Sequence, residues 1–327
     1  MRKGKIRALF AGIGLAILIF DSQCALEGAK TGLDLCIKVA IPSLFPFLVL
    51  SMMLTTSLAS TDCAMMRRLS HVMKIPASAS PILIPAFLGG YPIGAKCVTD
   101  LYRNGILKKQ EAERMLAFCS NAGPSFLFGM VSAFFSDKGM IWQLWVIHIL
   151  GAVFTGMIYP EIPQDDEKSQ EVPQHHVPKE LIFSALQAMG IVCGWIVLFR
   201  TMIAYLNVWI FRHLPTWMQV LSIGFLELSN GCCELTRITN IHLRFVIGSC
   251  MLAFGGVCVL VQTESVAKGL SLRHYWIGKS IQTVFSLLMS CAAAASVNLL
   301  YAAMIILIMG ILTKAKNSGG NPQIYPV

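Results

Sequence analysis

The sequence predicts an all-α, multi-pass membrane protein with two inverted repeats, each with a re-entrant helical hairpin and a broken transmembrane helix. Hydrophobic residues make up 55% of the 327 residues and charged residues only 13%, about half of the ~25% that is typical of soluble domains. Because such a chain cannot cover a water-facing surface, lipid is expected to surround it. A second observation is that one order of apolar segments occurs twice, on either side of a hydrophilic stretch at residues 161–179.

Composition also limits the partners. The length allows about seven or eight spans of roughly 20 residues each. The net charge of +9 comes without a basic helix or a glycine-rich phosphate loop, so we attribute it to basic residues in cytoplasmic loops. The eleven cysteines lack the spacing of a metal site or a disulfide framework. The sequence therefore predicts no nucleic-acid partner, no metal site and no cofactor.

The first half opens with an anchor span and a kinked second span. The anchor, residues 8–20, follows basic residues and has no clear cleavage site after it, so we expect it to be retained. A polar stretch at residues 21–34 precedes the second span, residues 35–60. Pro42 and Pro46 predict a kink in that span, because proline removes a backbone donor.

The next apolar segment, residues 75–105, is interrupted by prolines and glycines. Its two apolar pieces, residues 82–88 and 93–101, are each too short to cross a bilayer. They predict a re-entrant hairpin with residues 89–92 at its tip, since irregular backbone at membrane depth needs protein or a watery cavity beside it.

The remaining elements complete two matching halves of three crossings each. A third span is interrupted at residues 121–124, and a continuous fourth span follows it. In the second half these features recur, and a polar arm with Glu264, Lys268, Arg273 and Lys279 precedes the last span, which is either tilted or broken near Ser296. The predicted spans and segments are 115–135, 141–159, 181–206, 217–240 (broken), 245–262 (interrupted at 254–256) and 281–312.

Five units follow from this order. They are an N-terminal anchor span (1–29), a first repeat (30–160), a hydrophilic linker (161–179), a second repeat (180–313) and a polar tail (314–327). With the N-terminus cytoplasmic and the C-terminus outside, the inside segments carry about twice as many Lys and Arg residues as the outside segments, which favours that orientation.

Several motifs resemble one known family, that of the sporulation integral membrane protein YlbJ, whose members carry the nucleoside-recognition Gate domain. The resemblance covers about residues 30–290 and is looser in the second half. Its motifs here are Ile41–Phe47, Gly90–Lys96, Glu111–Arg114, Asn121–Pro124, Leu226–Glu227 with Asn230–Gly231, and Phe254–Gly256.

The resemblance implies two Gate-like repeats in a protein of spore-forming bacteria, located in a membrane that surrounds the forespore. It also implies a link to export of dipicolinic acid from the mother cell toward the forespore. Proteins with the same domain resemble nucleoside transporters.

The first hairpin provides the strongest candidate site. Its glycines permit close backbone approach, and a helix starting near Ile93 would direct its N–H groups toward the membrane midplane. Lys96 could bind a carboxylate there, or pair with Asp100 one turn on. The candidate residues are Gly90, Tyr91, Pro92, Gly94 and Lys96.

The interruption of the third span provides a second group of candidates. Proline frees a carbonyl there, which polar neighbours can satisfy or which can coordinate a solute; the alternative is a simple proline kink packed on a neighbouring helix. The candidate residues are Asn121, Gly123, Pro124 and Ser125.

In the second half the candidates are Arg200, Glu227, Asn230, Gly255 and Gly256. Arg200 could bind a carboxylate with two hydrogen bonds, or instead snorkel or pair with Glu227. Glu227 and Asn230 lie at the second hairpin tip, where Glu227 could couple a proton or cation. Gly255 and Gly256 indicate either a helix break beside the site or a close helix–helix contact.

Together these features predict a transporter for a small anionic solute, with Lys96 and Arg200 as its positive groups and with one half moving against the other. Through the resemblance, the solute is dipicolinic acid. The alternatives are a non-transporting structural or assembly protein of sporulation, and a transporter of a nucleoside-like metabolite. No hydrolase motif occurs, so we expect no enzyme activity. The expected partners are the lipid bilayer and the solute; a coupling ion and a homo-oligomer are left open.

Overall fold

The protein is helical throughout the residues that the computed structural model describes, and they contain no strand, which confirms the all-α class. The described residues are 2–58, 64–160, 181–296, 298, 300–301, 303–305 and 309–310. The predicted linker and the predicted polar tail lie outside them. The α-helices are α1 (Arg2–Phe20), α2 (Ser22–Leu35), α3 (Ile41–Leu58), α4 (Ala64–Val72), α5 (Leu83–Leu88), α6 (Ile93–Arg103), α7 (Lys109–Leu116), α8 (Lys138–Ile158), α9 (Leu181–Trp209), α10 (Thr216–Leu226), α11 (Leu228–Glu234), α12 (Ile241–Phe254), α13 (Gly256–Val266) and α14 (Arg273–Ala295).

Within the described residues, five helical stretches are long and apolar enough to cross a membrane, which supports a multi-spanning membrane protein. Shorter apolar helices form the first hairpin, the interrupted third span and the second hairpin, where the sequence predicted pieces too short to cross alone. The five candidate spans are Ser22–Leu50, Lys138–Ile158, Ile182–Trp209, Ile241–Val266 and Arg273–Ala295.

The prediction that a polar stretch at residues 21–34 separates the first two spans is wrong. The chain is helical without interruption from Ser22 to Leu58, about 55 Å at 1.5 Å per residue. Its charged residues are exposed, and the Lys38 Nζ lies 3.2 Å from a carboxylate oxygen of Asp34. Spacing of three and four residues keeps these charges on one face, so the opposite face is free to pack.

That opposite face carries Gly28 and Gly32, which bring α2 against α9. A Cβ atom at Gly28 would lie 2.8 Å from the Cα of Thr201, and one at Gly32 would lie 2.9 Å from the Cα of Val197. Two small residues four positions apart are a common means of close packing between membrane helices. The contact therefore stabilises as a helix the segment that the sequence analysis described as a polar stretch.

The second span departs from α-helical geometry just before Pro42. Residues 36–40 form a π-helical turn, in which the Ile41 N–H donates to the Cys36 carbonyl oxygen. A wide turn of this kind accommodates a residue without a backbone donor. Pro46 lies inside α3.

The first hairpin consists of a 3₁₀ turn at Ala77–Ile82, α5, a tip at residues 89–92, and α6. The polypeptide after α7 leaves the helix at Ala117, earlier than the predicted interruption at residues 121–124, and returns to a π-helical segment at Ser125–Met130. The helix is thus interrupted in this region, over a longer stretch than predicted.

The second half follows the same order: the long α9, the pair α10 and α11, the pair α12 and α13, and α14. The break inside the third element lies at Gly255, as predicted. The last span begins at Arg273, eight residues earlier than predicted, and α14 ends beside Ser296, where the backbone is extended. One face of α14 packs against α7, α8 and α12.

Candidate functional site

In each half of the molecule, the hairpin tip contacts the interrupted helix of the same half. A Cβ atom at Gly123 would lie 2.9 Å from the backbone nitrogen of Gly90. In the second half, a Cβ atom at Gly256 would lie 3.0 Å from the carbonyl oxygen of Gly224. Gly90 and Gly256 also have positive φ angles, +77° and +86°, which favour glycine. Close backbone contact therefore fixes both tips against both breaks.

Tyr91 connects the two halves. Its hydroxyl donates to the carbonyl oxygen of Leu252 at 3.2 Å. A Cβ atom at Gly255 would lie 3.2 Å from that hydroxyl oxygen, so the missing side chain leaves space for the tyrosine. The first hairpin tip thus reaches the helix break of the second half.

A cavity of about 370 Å³ lies between these elements. Its walls combine both halves, with apolar residues of α3 and α9 on one side and the two hairpins and α13 on the other. Seven of the predicted site residues line it: Gly90, Tyr91, Pro92, Lys96, Gly123, Ser125 and Glu227. Further polar side chains that line it are Ser184, Gln187, Ser229 and Gln262.

Lys96 and Glu227 are the two lining residues with a charged side chain. Lys96 is exposed, and it forms no ion pair with Asp100 in the described structure. The alternative that the sequence analysis considered, an ion pair between Lys96 and Asp100 on α6, is therefore not found. Its ammonium group is free to meet a ligand in the cavity.

Glu227 caps the start of α11. Its carboxylate is 3% exposed and accepts hydrogen bonds from the backbone N–H groups of Ser229 at 3.0 Å and Asn230 at 2.6 Å. The Asn230 side-chain amide adds a third at 2.8 Å. These donors stabilise the negative charge locally, so the structure gives Glu227 a capping role at the cavity wall.

Arg200 pairs with a residue other than Glu227, the partner that the sequence analysis considered, and this pair lies outside the cavity lining. Its Nη1 lies 2.7 Å from the Oε1 of Glu234, and the other oxygen of Glu234 lies 3.2 Å from the Nη1 of Arg237. Arg200 is therefore paired with Glu234 and not with Glu227, and it does not line the cavity.

The other predicted residues surround the cavity without lining it. Gly94 packs on the carbonyl oxygen of Cys119, and Pro124 precedes the π-helical segment. Gly255 and Gly256 form the second helix break. Asn121 is fully buried behind Tyr91, in a group of polar side chains centred on Lys279.

Lys279 is the main residue that the sequence analysis placed wrongly. We expected it in a polar arm, but it lies in α14 and is 0% exposed. Its Nζ donates to the Gln282 Oε1 at 2.9 Å, and lies 3.4 Å from the Tyr91 hydroxyl and 3.5 Å from the Asn121 Oδ1. The rings of Tyr91 and Tyr275 have their centroids 5.3 Å and 6.0 Å from it.

Gln282 and His148 extend this polar group. The Gln282 amide nitrogen donates to the Asn121 Oδ1 at 3.2 Å and to the His148 carbonyl oxygen at 3.1 Å. The His148 Nε2 accepts the backbone N–H of Ala122 at 3.0 Å. Within the non-helical stretch at residues 117–123, His148 of α8 thus satisfies the Ala122 N–H, and Gln282 of α14 holds the Asn121 side chain.

A periodic signal could have located Lys279. It lies on one helical face with other buried polar residues of α14, while the opposite face is apolar and exposed. A polar stripe at helical spacing on an otherwise apolar helix indicates an interior-facing side in a membrane protein. The residues of the stripe are Tyr275, Lys279, Gln282, Ser286 and Ser290.

Arg114 has a structural function that the sequence did not reveal. It is 3% exposed and donates to carbonyl oxygens of Met73 at 2.9 Å, Lys74 at 3.0 Å and Gly156 at 3.0 Å. Those carbonyls lie at the ends of α4 and α8, where helices leave acceptors without partners. Arg114 thus ties three elements together at one end of the bundle.

The long apolar helices define a multi-spanning integral membrane protein. Over 318 aligned residues, the chain is 24% identical to the sporulation integral membrane protein YlbJ of Bacillus subtilis (strain 168), with 83% of this chain and 78% of that protein covered. This match confirms the resemblance to the YlbJ family and supports membership of it. No family model and no solved structure matches the chain.

Proposed function

We propose that this protein is a transporter that moves a small anionic solute across a membrane during sporulation. Its resemblance to the YlbJ family favours dipicolinic acid as the solute, and the name of the Bacillus subtilis relative supports the link to sporulation. The observation that carries the proposal is the cavity, because both hairpin tips and both helix breaks converge on it.

The chemistry of the cavity suits a flat, acidic molecule. Its volume of about 370 Å³ falls at the lower end of the ~300–1,000 Å³ range of small-molecule sites. Apolar side chains of α3 and α9 can pack on an aromatic ring, and Lys96 can pair with a carboxylate. Glu227 keeps its net charge although three N–H donors stabilise it, so Lys96 is the lining group that favours an anion.

The arrangement of elements supports alternating access. The same order of span, hairpin, interrupted helix and span occurs in both halves, and three crossings per half would invert one half relative to the other. α5 and α10 are too short to cross about 30 Å of hydrocarbon, which supports re-entrant hairpins at these positions. The excess of Lys and Arg in the predicted inside segments favours a cytoplasmic N-terminus.

The test is uptake of labelled dipicolinate into proteoliposomes, comparing the wild-type protein with Lys96→Ala. We expect saturable flux in the wild type and a loss of about tenfold or more in the variant, since an ion pair in a poorly hydrated site contributes more than about 1.4 kcal/mol. Lys268→Ala is the matched control, because Lys268 is exposed and does not line the cavity.

Three results would separate the alternatives. Flux that is lost in Lys96→Ala and kept in Lys268→Ala supports transport through this cavity. Wild-type flux of a nucleoside, without flux of dipicolinate, would change the substrate to the nucleoside-like alternative. Correctly inserted wild-type protein without flux of either solute would contradict transport by this chain alone and favour an assembly function.

A further inference from the structure

The amino group of Lys279 is buried among neutral polar groups. The three oxygens that accept its hydrogen bonds, from Gln282, Tyr91 and Asn121, all belong to neutral groups. Two of these contacts are 3.4 Å or longer, which is weak for a hydrogen bond. Within the described residues, Lys279 makes no ion pair. An ammonium group satisfied only by dipoles leaves a net positive potential around it.

Such a charge is costly inside a membrane protein. Charged side chains among membrane helices are rare, and they commonly mark a solute or ion path. The part-buried Arg200 pairs with the carboxylate of Glu234. Among the described residues no carboxylate pairs with Lys279, so its position suits a carboxylate from a ligand.

The neighbourhood of Lys279 also contains hydrogen-bond donors without acceptors. His148 accepts the Ala122 N–H at its Nε2, so a neutral ring carries its proton at Nδ1, and this atom has no partner among the described residues. The hydroxyls of Ser120 and Ser286 are likewise buried without a partner there. Asn121 and Gln282 both contact Lys279. Ser120 precedes Asn121 in the sequence, Ser286 lies one turn after Gln282, and the His148 carbonyl oxygen accepts from Gln282. A carboxylate requires such donors.

Tyr91 separates this polar group from the cavity. The side chain lines the cavity, while its hydroxyl lies 3.4 Å from the Lys279 Nζ. One hydrogen bond, to the Leu252 carbonyl oxygen at 3.2 Å, anchors the hydroxyl on the far side. Movement of a single ring would therefore connect Lys279 with the cavity.

We propose that Lys279 is the inner anion-binding residue of this protein and that the Tyr91 ring is the gate between it and the cavity. A carboxylate that enters the cavity displaces the ring, pairs with the Lys279 ammonium group and accepts hydrogen bonds from the spare donors around it. This inference rests on the proposed function and adds a second, buried subsite to the one at Lys96. The ligand class is a small aromatic carboxylate.

The first measurement is thermal unfolding of the purified full-length protein in detergent, with and without dipicolinate or picolinate. We expect both anions to raise the unfolding midpoint of the wild type. Lys279→Met should unfold at the same temperature as the ligand-free wild type, or higher, because replacing an uncompensated buried charge by an apolar side chain of similar length is neutral or stabilising. The same variant should lose affinity for the anions by about tenfold or more.

Two further variants keep the result interpretable. Lys279→Gln retains hydrogen bonding without the charge and should lose affinity like Lys279→Met. Lys268→Met removes an exposed lysine and should bind as the wild type does. A midpoint that falls strongly in both Lys279 variants, or anion affinities that match the wild type, would make Lys279 structural and overturn the proposal.

Uptake into proteoliposomes separates this inference from the proposed function. Wild-type flux that persists unchanged in folded Lys279→Met overturns the inner site and leaves transport standing. Anion binding that depends on Lys279 but is not accompanied by flux supports the inner site and contradicts transport by this chain alone. No stabilisation of the wild type by either anion overturns the inner site.

Discussion

Arg200 and Lys279 are both cationic residues of the helical bundle, but different groups surround them. Around Arg200, the carboxylate of Glu234 lies between two guanidinium groups, so the charges are compensated within the protein. Around Lys279, only neutral oxygens and aromatic rings take part. The difference separates a charge that holds helices together from one that is available to a ligand. It also explains why depth alone, the criterion that selected Arg200 from the sequence, does not identify a binding residue.

The largest expected effect comes from removing the carboxylate that Arg200 and Arg237 share. Glu234→Leu leaves Arg200 and Arg237 without their shared carboxylate, and we expect a loss of about 3 kcal/mol in the free energy of unfolding. Denaturant or thermal unfolding in detergent measures it. Adding Arg200→Leu to this variant should recover much of the loss, because no charge at that position then lacks a partner. Equal stability of single and double variants would contradict this account of Arg200.

An intermediate effect is expected where the hairpin tip meets the helix break. Gly256→Ala places a Cβ atom 3.0 Å from the Gly224 carbonyl oxygen, on a residue with a φ angle of +86°. We expect a cost of about 1–2 kcal/mol in unfolding free energy, from the backbone conformation. Gly190→Ala in α9 is the control, since no atom lies within 4 Å of the added carbon there. If Gly256→Ala and Gly190→Ala had similar effects on the unfolding free energy, neither the backbone conformation of Gly256 nor its contact with the hairpin tip would contribute to stability.

The smallest effect is expected at an exposed pair. Asp34→Asn removes the charge partner of Lys38, and both side chains are more than 60% exposed. We expect less than about 0.5 kcal/mol in unfolding free energy, because solvent screens such pairs. If Asp34→Asn lowered the unfolding free energy as much as Glu234→Leu does, ion pairs inside the bundle and on its outer face would not differ in their contribution.

Much of the architecture followed from sequence. The interruption at Gly255, the short first hairpin and the long span of α9 were placed correctly, because proline, glycine and runs of apolar residues determine local backbone structure. The helical path of residues 21–34 was missed. Its stability comes from packing of Gly28 and Gly32 on α9, a contact between residues far apart in sequence.

The candidate site was predicted less completely. Residues at the tips and breaks line the cavity, since backbone interruptions at membrane depth imply a cavity or protein beside them. Lys279 was assigned to a loop because it follows Arg273 closely and precedes the strongly apolar part of α14. The polar stripe of α14 places Lys279 on a buried face, but its contacts with Tyr91 and Asn121 join residues far apart in sequence.

The glycine contact between α2 and α9 has a consequence for how such a molecule could move. The helix from Ser22 to Leu58 belongs to the first half, yet Gly28 and Gly32 join it to Thr201 and Val197 of the second half. A joint that allows no room for a methyl group also allows little sliding. The two helices of this joint would then stay together in any movement that the proposed transport requires.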